Sequence, residues 1–231
     1  MRRTIPVPAL AFAVAALLAL GIGAWRAGAS VEAPVASQSE EDGFEPLLIQ
    51  RGDRFSKAGW NHYGPGHFTL DRENGVLESH GGMGLLWYSV REFSDFELRL
   101  EFKSSAAEAN SGVFVRVPGV PTSDDYIYHS FELQIHDAGD DIHRTGAVYD
   151  AEPPNQLASK PAGEWNEYRI RFVGDQMTVW VNGEQVIDWQ AEPRGKVEDF
   201  APSGYIGLQN HDEETSVSFR NIRIRDLSTD G

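Results

Sequence analysis

The sequence predicts an all-β protein, a jelly-roll sandwich of two antiparallel sheets. Three observations predict it. Apolar residues alternate with polar ones in short runs, no stretch keeps helical periodicity for three turns, and Gly, Pro and Asn punctuate about a dozen such runs. Each element follows from local pattern.

Arg2 and Arg3 precede an uncharged Ala/Leu-rich run to Trp25, and Ala27-Gly28-Ala29 follows. Residues 1–29 therefore read as a secretory signal peptide, or as an N-terminal membrane anchor if uncleaved. Residues 30–43 are a polar, acidic linker, and residues 44–231 form one β-sandwich domain. Export places that domain in the periplasm or outside the cell. The chain has no Cys, which excludes disulfides and thiol chemistry. Removing the leader's Arg2, Arg3 and Arg26 from 20 basic residues leaves 17 against 35 acidic ones, net −18. Such a charge repels nucleic acid and anionic headgroups and suits a neutral or cationic ligand.

Residues 67–70 and 76–78 flank Asn74-Gly75, a hairpin signal. Residues 85–90 (LLWYSV) are the next strand. FELRLEFK (96–103) points Phe96, Leu98, Leu100 and Phe102 inward and Glu97, Arg99, Glu101 and Lys103 to solvent. In SGVFVRV (111–117), Val113, Val115 and Val117 share one face, Phe114 and Arg116 the other. YIYHSFELQIHD (126–137) is the central strand. Its inner face is Phe131, Leu133 and Ile135; its outer file of Glu132, Gln134 and His136, with Asp137 at the end, reads as the floor of a polar groove. TGAVY (145–149) is a short strand and residues 150–161 a rim loop. Residues 167–189 form a three-strand meander through Gly174-Asp175 and Asn182-Gly183. In VSFRNIRIRDL (217–227) the apolar parity switches between Phe219 and Ile222, which requires a bulge at Arg220-Asn221.

The ordered set NGVLES, NSGVFVR, FELQIHD, TGAVYD, VWVNGEQV, GYIGLQNH and FRNIRIRDL resembles the 3-keto-disaccharide hydrolase domain family, from about Trp60 to Leu227. The resemblance implies a concanavalin-A-like lectin/glucanase sandwich and an exported glycoside hydrolase or 1,2-lyase acting on sugars oxidised at carbon 3. It carries Glu132, Gln134 and Asp137 as a central-strand motif, with Arg116, Tyr149, Gln209 and His211. Two positions depart from the pattern: His136 stands where relatives have an apolar residue, and Asp150 follows Tyr149.

A 3-keto group acidifies the hydrogen on carbon 2. Chemistry there needs a base, a cation or metal at the developing oxyanion, and an acid for the leaving group. Glu132, His136 and His211 are the candidate bases and Arg116 the candidate oxyanion partner. Gln134, Asp137, Tyr149, Gln209 and Trp60 are candidate sugar contacts. Glu132, His136, Asp137 and His211 would also suit a divalent Mn, Zn or Ca ion, although no tight H-x-H spacing marks a metal site. An endoglucanase E-x-D-x-x-E pair is not formed, because Gln134 holds the middle position. The rival reading is a non-catalytic glycan-binding module. The expected partners are a carbohydrate and, upstream, a sugar 3-dehydrogenase.

Overall fold

The computed structural model describes residues 43–228, so the leader and all of the linker except its last residue lie outside the described residues. Glu45–Pro46 (β1), Ile49–Arg51 (β2), Arg54–Ser56 (β3), Trp60–Tyr63 (β4), His67–Asp71 (β5), Val76–His80 (β6), Gly84–Phe93 (β7) and Phe96–Ser104 (β8) form the first half. Ser111–Val117 (β9), Phe131–Ile135 (β10), Asn166–Val173 (β11), Gln176–Val181 (β12), Glu184–Gln190 (β13), Gly204–Asn210 (β14) and Val217–Asp226 (β15) form the second. One sheet runs β13-β12-β11-β8-β15-β6-β5, with β1 also on β15; a second runs β10-β9-β14-β7-β4; β2 and β3 pair as a separate two-stranded ribbon. All pairings are antiparallel, as in a jelly roll.

Period-two alternation builds the core. Phe96, Leu98, Leu100 and Phe102 of β8, with Tyr168, Ile170 and Phe172 of β11, meet Val113, Val115, Phe131, Leu133 and Ile135 of the facing sheet. Phe131 packs edge-on to Phe172 with ring centroids 5.0 Å apart. Tyr168 spans the core: its hydroxyl donates to the Gln134 carbonyl and accepts from Gly146 N–H at 2.7 Å. The wall strand β10 is thereby tied to the opposite sheet.

Turn chemistry sits where the sequence puts it. Asn182 (φ 52°) and Gly183 (φ 84°) both take the left-handed conformation that a two-residue β12–β13 hairpin needs. β15 shifts register between Arg220 and Arg223, with Asn221 at φ 52°, and Phe219 and Ile222 both face the core. This is the expected bulge.

Four expectations need correction. Residues 124–128 are a 3-10 turn capped by Ser123, not the start of the central strand, which is only Phe131–Ile135. TGAVY is not a strand; it runs beside β10 through the bonds Gly146 N–H to Gln134 O (3.1 Å) and Tyr149 N–H to Glu132 O (2.9 Å). The outward charges of β8 are not all solvated. Glu97 and Arg99 are buried because Arg169 of β11 and Arg225 of β15 close over Glu97, at 2.7 and 3.1 Å, beside Arg99 at 2.9 Å. Burial alone would raise the Glu97 pKa, but the bonds from Arg169 and Arg99 hold it below the usual carboxylate range. Finally, β9 carries one more residue than β14 between the pairs Phe114–Gly207 and Val117–Tyr205, and Arg116 sits at φ 55°. This bulge exchanges the faces of Arg116 and Val117.

Candidate active site

Two files of side chains cross the outer face of the five-stranded sheet. Cross-strand pairing sets Asn61, Trp87, Gly207, Phe114 and Glu132 in one file. Tyr63, Leu85 and Gln209 lie in the next, with Gln134 opposite Gly112. Phe114, Trp87, Leu85, Val117 and Tyr126 form a separate apolar cluster on this face. The polar end, over β10 and β9, is a pocket of about 80 Å³ lined by Met83, Asn110, Ile127, Glu132, Gln134, Tyr149, Lys196, Gln209 and His211.

Glu132 is 7 % exposed. Burial pushes its carboxyl up to about 8, against the pull of the Lys196 charge. Its side chain occupies the space above Gly112, where an added Cβ would lie 2.2 Å from Oε1 and 2.6 Å from Cγ. A glycine inside a strand marks such a close approach. Gly112→Ala should therefore evict the Glu132 carboxylate while leaving the backbone, whose φ is negative, unstrained. A structure of the variant should show the Glu132 side chain moved off Gly112, with little change in thermal midpoint.

The amide nitrogen of Gln134 donates to Oδ1 of Asn110 at 3.1 Å; with the amide turned over it donates instead to Oε1 of Glu132 and to the Ser111 carbonyl, each at 3.2 Å. Among the described residues, Oε1 of Gln209, Nε1 of Trp87 and the hydroxyl of Tyr126 are buried on this face without a hydrogen-bond partner. Burial, then the charges of Glu132 and Asp124, raises the Tyr126 phenol. Of Gln209, Trp87 and Tyr126, it is Gln209 that lines the pocket, where its oxygen can accept a hydrogen bond from a polar ligand. His211 bonds Oδ1 of Asp212 through Nδ1 at 2.8 Å, leaving Nε2 as the ring nitrogen available to a ligand. Asp212 in turn accepts from Asn110 N–H at 2.7 Å and from the Thr215 hydroxyl. Burial opposes ionisation of Asp212, but bonds from Thr215, His211 and Asn110 keep it below the ordinary carboxylate range.

Of the residues the sequence singles out, Glu132, Gln134, Tyr149, Gln209 and His211 converge on this pocket. Four do not. Arg116, through its bulge, points between the sheets: its guanidinium bonds Ser94 O (2.9 Å) and Gly174 O (2.7 Å) and stacks 3.6 Å from the Phe172 ring centre. Trp60 is 8 % exposed and donates to Leu47 O at 2.8 Å, so it is a core residue and not a sugar platform. Asp137 accepts from Thr145 (2.6 Å) and Ser159 (2.8 Å) and pins two loops. His136 lies past the end of β10, where its N–H donates to the Thr145 hydroxyl at 2.9 Å, and it is not among the pocket's lining. Asn110, Lys196, Met83, Ile127 and Gly112 were missed. Only Gly112, an isolated glycine in an apolar strand, carried a signal. Among the described residues, no three His, Cys, Asp or Glu side chains gather as a metal site.

Comparison with known proteins decides the family. The model of the 3-keto-alpha-glucoside-1,2-lyase-like domain matches residues 52–225. The chain belongs to this family. The 3-keto-alpha-glucoside-1,2-lyase-like domain thus contains every residue that lines the pocket, from Met83 to His211. A 3-keto-disaccharide hydrolase of Bacteroides thetaiotaomicron is 27% identical over 86% of this chain and 82% of its own. Among solved structures, a candidate glycosyl hydrolase of Parabacteroides distasonis superposes with a TM-score of 0.70 at 22% identity, covering 84% of this chain and 99% of that one. A Bacillus subtilis protein with a galectin-like fold superposes at 0.55 with 13% identity, over 79% and 94%. These two establish the sandwich fold of the 3-keto-alpha-glucoside-1,2-lyase-like domain.

Proposed function

We propose that this protein is an exported enzyme that cleaves 3-keto-glycosides by removing the proton on carbon 2 and eliminating the group on carbon 1. One observation carries the reading: a buried carboxylate, Glu132, whose pKa stands just above neutral, on the floor of a pocket where Asn110, Gln134, Tyr149, Lys196, Gln209 and His211 offer hydrogen bonds beside the apolar Met83 and Ile127. A base of that strength is well matched to the weakly acidic hydrogen beside a ketone. The family membership and the Bacteroides relative support the same substrate class.

In this account Glu132 takes the carbon-2 proton and the electrons pass to the carbon-3 oxygen, giving an enediolate. The enediolate collapses, the bond from carbon 1 to the glycosidic oxygen breaks, and His211 gives that oxygen a proton through Nε2, held in register by Asp212. Water adds to the resulting enone, so elimination followed by hydration amounts to hydrolysis. Gln134 and Gln209 supply hydrogen bonds to the ring hydroxyls. The substrate must come from an enzyme that oxidises carbon 3 of a glycoside, so a sugar 3-dehydrogenase is the partner in sequence. The leader places this work outside the cytosol.

The test is to incubate the protein with a 3-keto-glucoside of nitrophenol and with the unoxidised glucoside, each against buffer alone. Release of nitrophenol from the keto sugar only is expected. Binding of keto sugars with no release above buffer would replace the enzyme by a glycan-binding module.

A further inference from the structure

Moving Arg116 to the far side of its strand leaves the proposed reaction without the cation expected at the developing oxyanion. One lysine lines the pocket. Lys196 stands on the loop between β13 and β14, opposite the β10 wall, and its Nζ lies 4.8 Å from the centre of the Tyr149 ring. Tyr149 is itself bonded to the backbone of Glu132 through its N–H at 2.9 Å. Lysine and base therefore share one support.

The lysine is held by design of its loop. Arg194 and Val197 exchange both backbone bonds, at 2.8 and 3.0 Å, which closes a tight turn with Gly195 and Lys196 at its tip. Gly195 takes φ 56°, and an added Cβ would meet the Asp150 carbonyl at 1.7 Å, so the turn is pressed onto the Tyr149–Asp150 segment and accepts only glycine there. Glu198 N–H bonds Tyr128 O at 2.9 Å, and Arg194 reaches the Ala151 carbonyl at 3.3 Å. Among the described residues the Lys196 ammonium forms no ion pair within 4.0 Å and no hydrogen bond. Lys196 acts on the Glu132 carboxyl only through space, so its ammonium keeps its hydrogen-bond donors for negative charge that develops on the substrate. The other charge-bearing groups on the pocket wall are Glu132 and His211.

Resting on the reaction proposed above, we infer that Lys196 stabilises the negative charge on the carbon-3 oxygen as Glu132 removes the carbon-2 proton. The proton goes to the Glu132 carboxylate, the former C–H pair becomes the C2=C3 bond, and the carbonyl pair moves onto the oxygen beside Lys196. When the leaving group departs, the C3=O bond re-forms, the C2=C3 pair becomes the C1=C2 bond, and the charge leaves on the glycosidic oxygen, which takes the proton from His211. Nothing is oxidised or reduced.

The experiment compares wild type with Lys196→Met and Lys196→Arg on a 3-keto-glucoside, reading kcat, KM, the pH profile and the thermal midpoint. Lys196→Met is expected to lower kcat about 10²- to 10³-fold, the usual effect of removing one oxyanion donor, with KM changed by less than about threefold. The ascending limb of its pH profile should also move to higher pH, because Glu132 loses the favourable charge of Lys196. Lys196→Arg should restore part of kcat. A Lys196→Met enzyme turning over within about threefold of an active wild type, or losing rate only through KM or folding with its pH limb unmoved, overturns the assignment. A wild type inactive on every 3-keto-glycoside removes both the reaction and this role, and is told apart by failing before any substitution.

Discussion

Glu132→Gln is expected to lower turnover of a 3-keto-glucoside by about 10³-fold or more while substrate affinity stays within a few-fold, since general-base removal costs about 10²–10⁴. Gln keeps the shape above Gly112 and removes only the proton acceptor. In wild type the base must be ionised, so kcat/KM should rise with pH and level off above about 8; in the variant that limb should vanish. Stability moves the other way. Glu132 holds its proton more tightly in the folded protein, at about 8, than in the unfolded chain, at 4.5. Its favourable contribution is thus complete below the unfolded value and is lost as pH rises through the folded one. The two-state cost at high pH is roughly 3 to 5 kcal/mol. Glu132→Gln should match wild type in thermal midpoint near pH 4 and exceed it near pH 9. Unfolding scans at the two pH values, alongside the rate, check both halves.

Arg116→Met is expected to do the reverse, costing stability and sparing chemistry. The guanidinium ties the turn before β8, through Ser94 O, to the turn after β11, through Gly174 O, and lies on Phe172. Burial lowers its pKa, and Asp95 and Asp175 oppose that shift. Met fills the aliphatic volume but leaves two carbonyls without their donor, for a loss of about 2 to 4 kcal/mol. For a domain of this size that is a drop on the order of 5–15 °C in thermal midpoint. Turnover measured well below the midpoint should stay within about twofold of wild type. A variant that melts normally but turns over slowly would return Arg116 to the chemistry.

The two substitutions also mark what the sequence discloses. Strand faces were legible wherever alternation was unbroken, as in β8, β10 and β11, because burial on one side enforces period two. The β15 bulge was legible because its apolar parity visibly switches from Phe219 to Ile222. The β9 bulge was not, because Val115, Arg116 and Val117 continue a regular alternation through the point where the backbone breaks it. The central site was read from Glu132 and Gln134, whose file continues a strand with a wholly apolar opposite face. Lys196 was illegible for a different reason: a loop has no period, and only the closed turn at Arg194–Val197 brings the lysine over Tyr149. Asp137 looked like a site residue, yet its carboxylate is taken up by Thr145 and Ser159.

Deuterium entry at carbon 2 tests the account most directly. In D2O, wild type acting on a 3-keto-glucoside should place deuterium at carbon 2 of the released sugar faster than buffer does, followed by NMR, and Glu132→Gln should not exceed buffer. Cleavage by wild type with hydrogen retained at carbon 2, or exchange by Glu132→Gln at the wild-type rate, would contradict it.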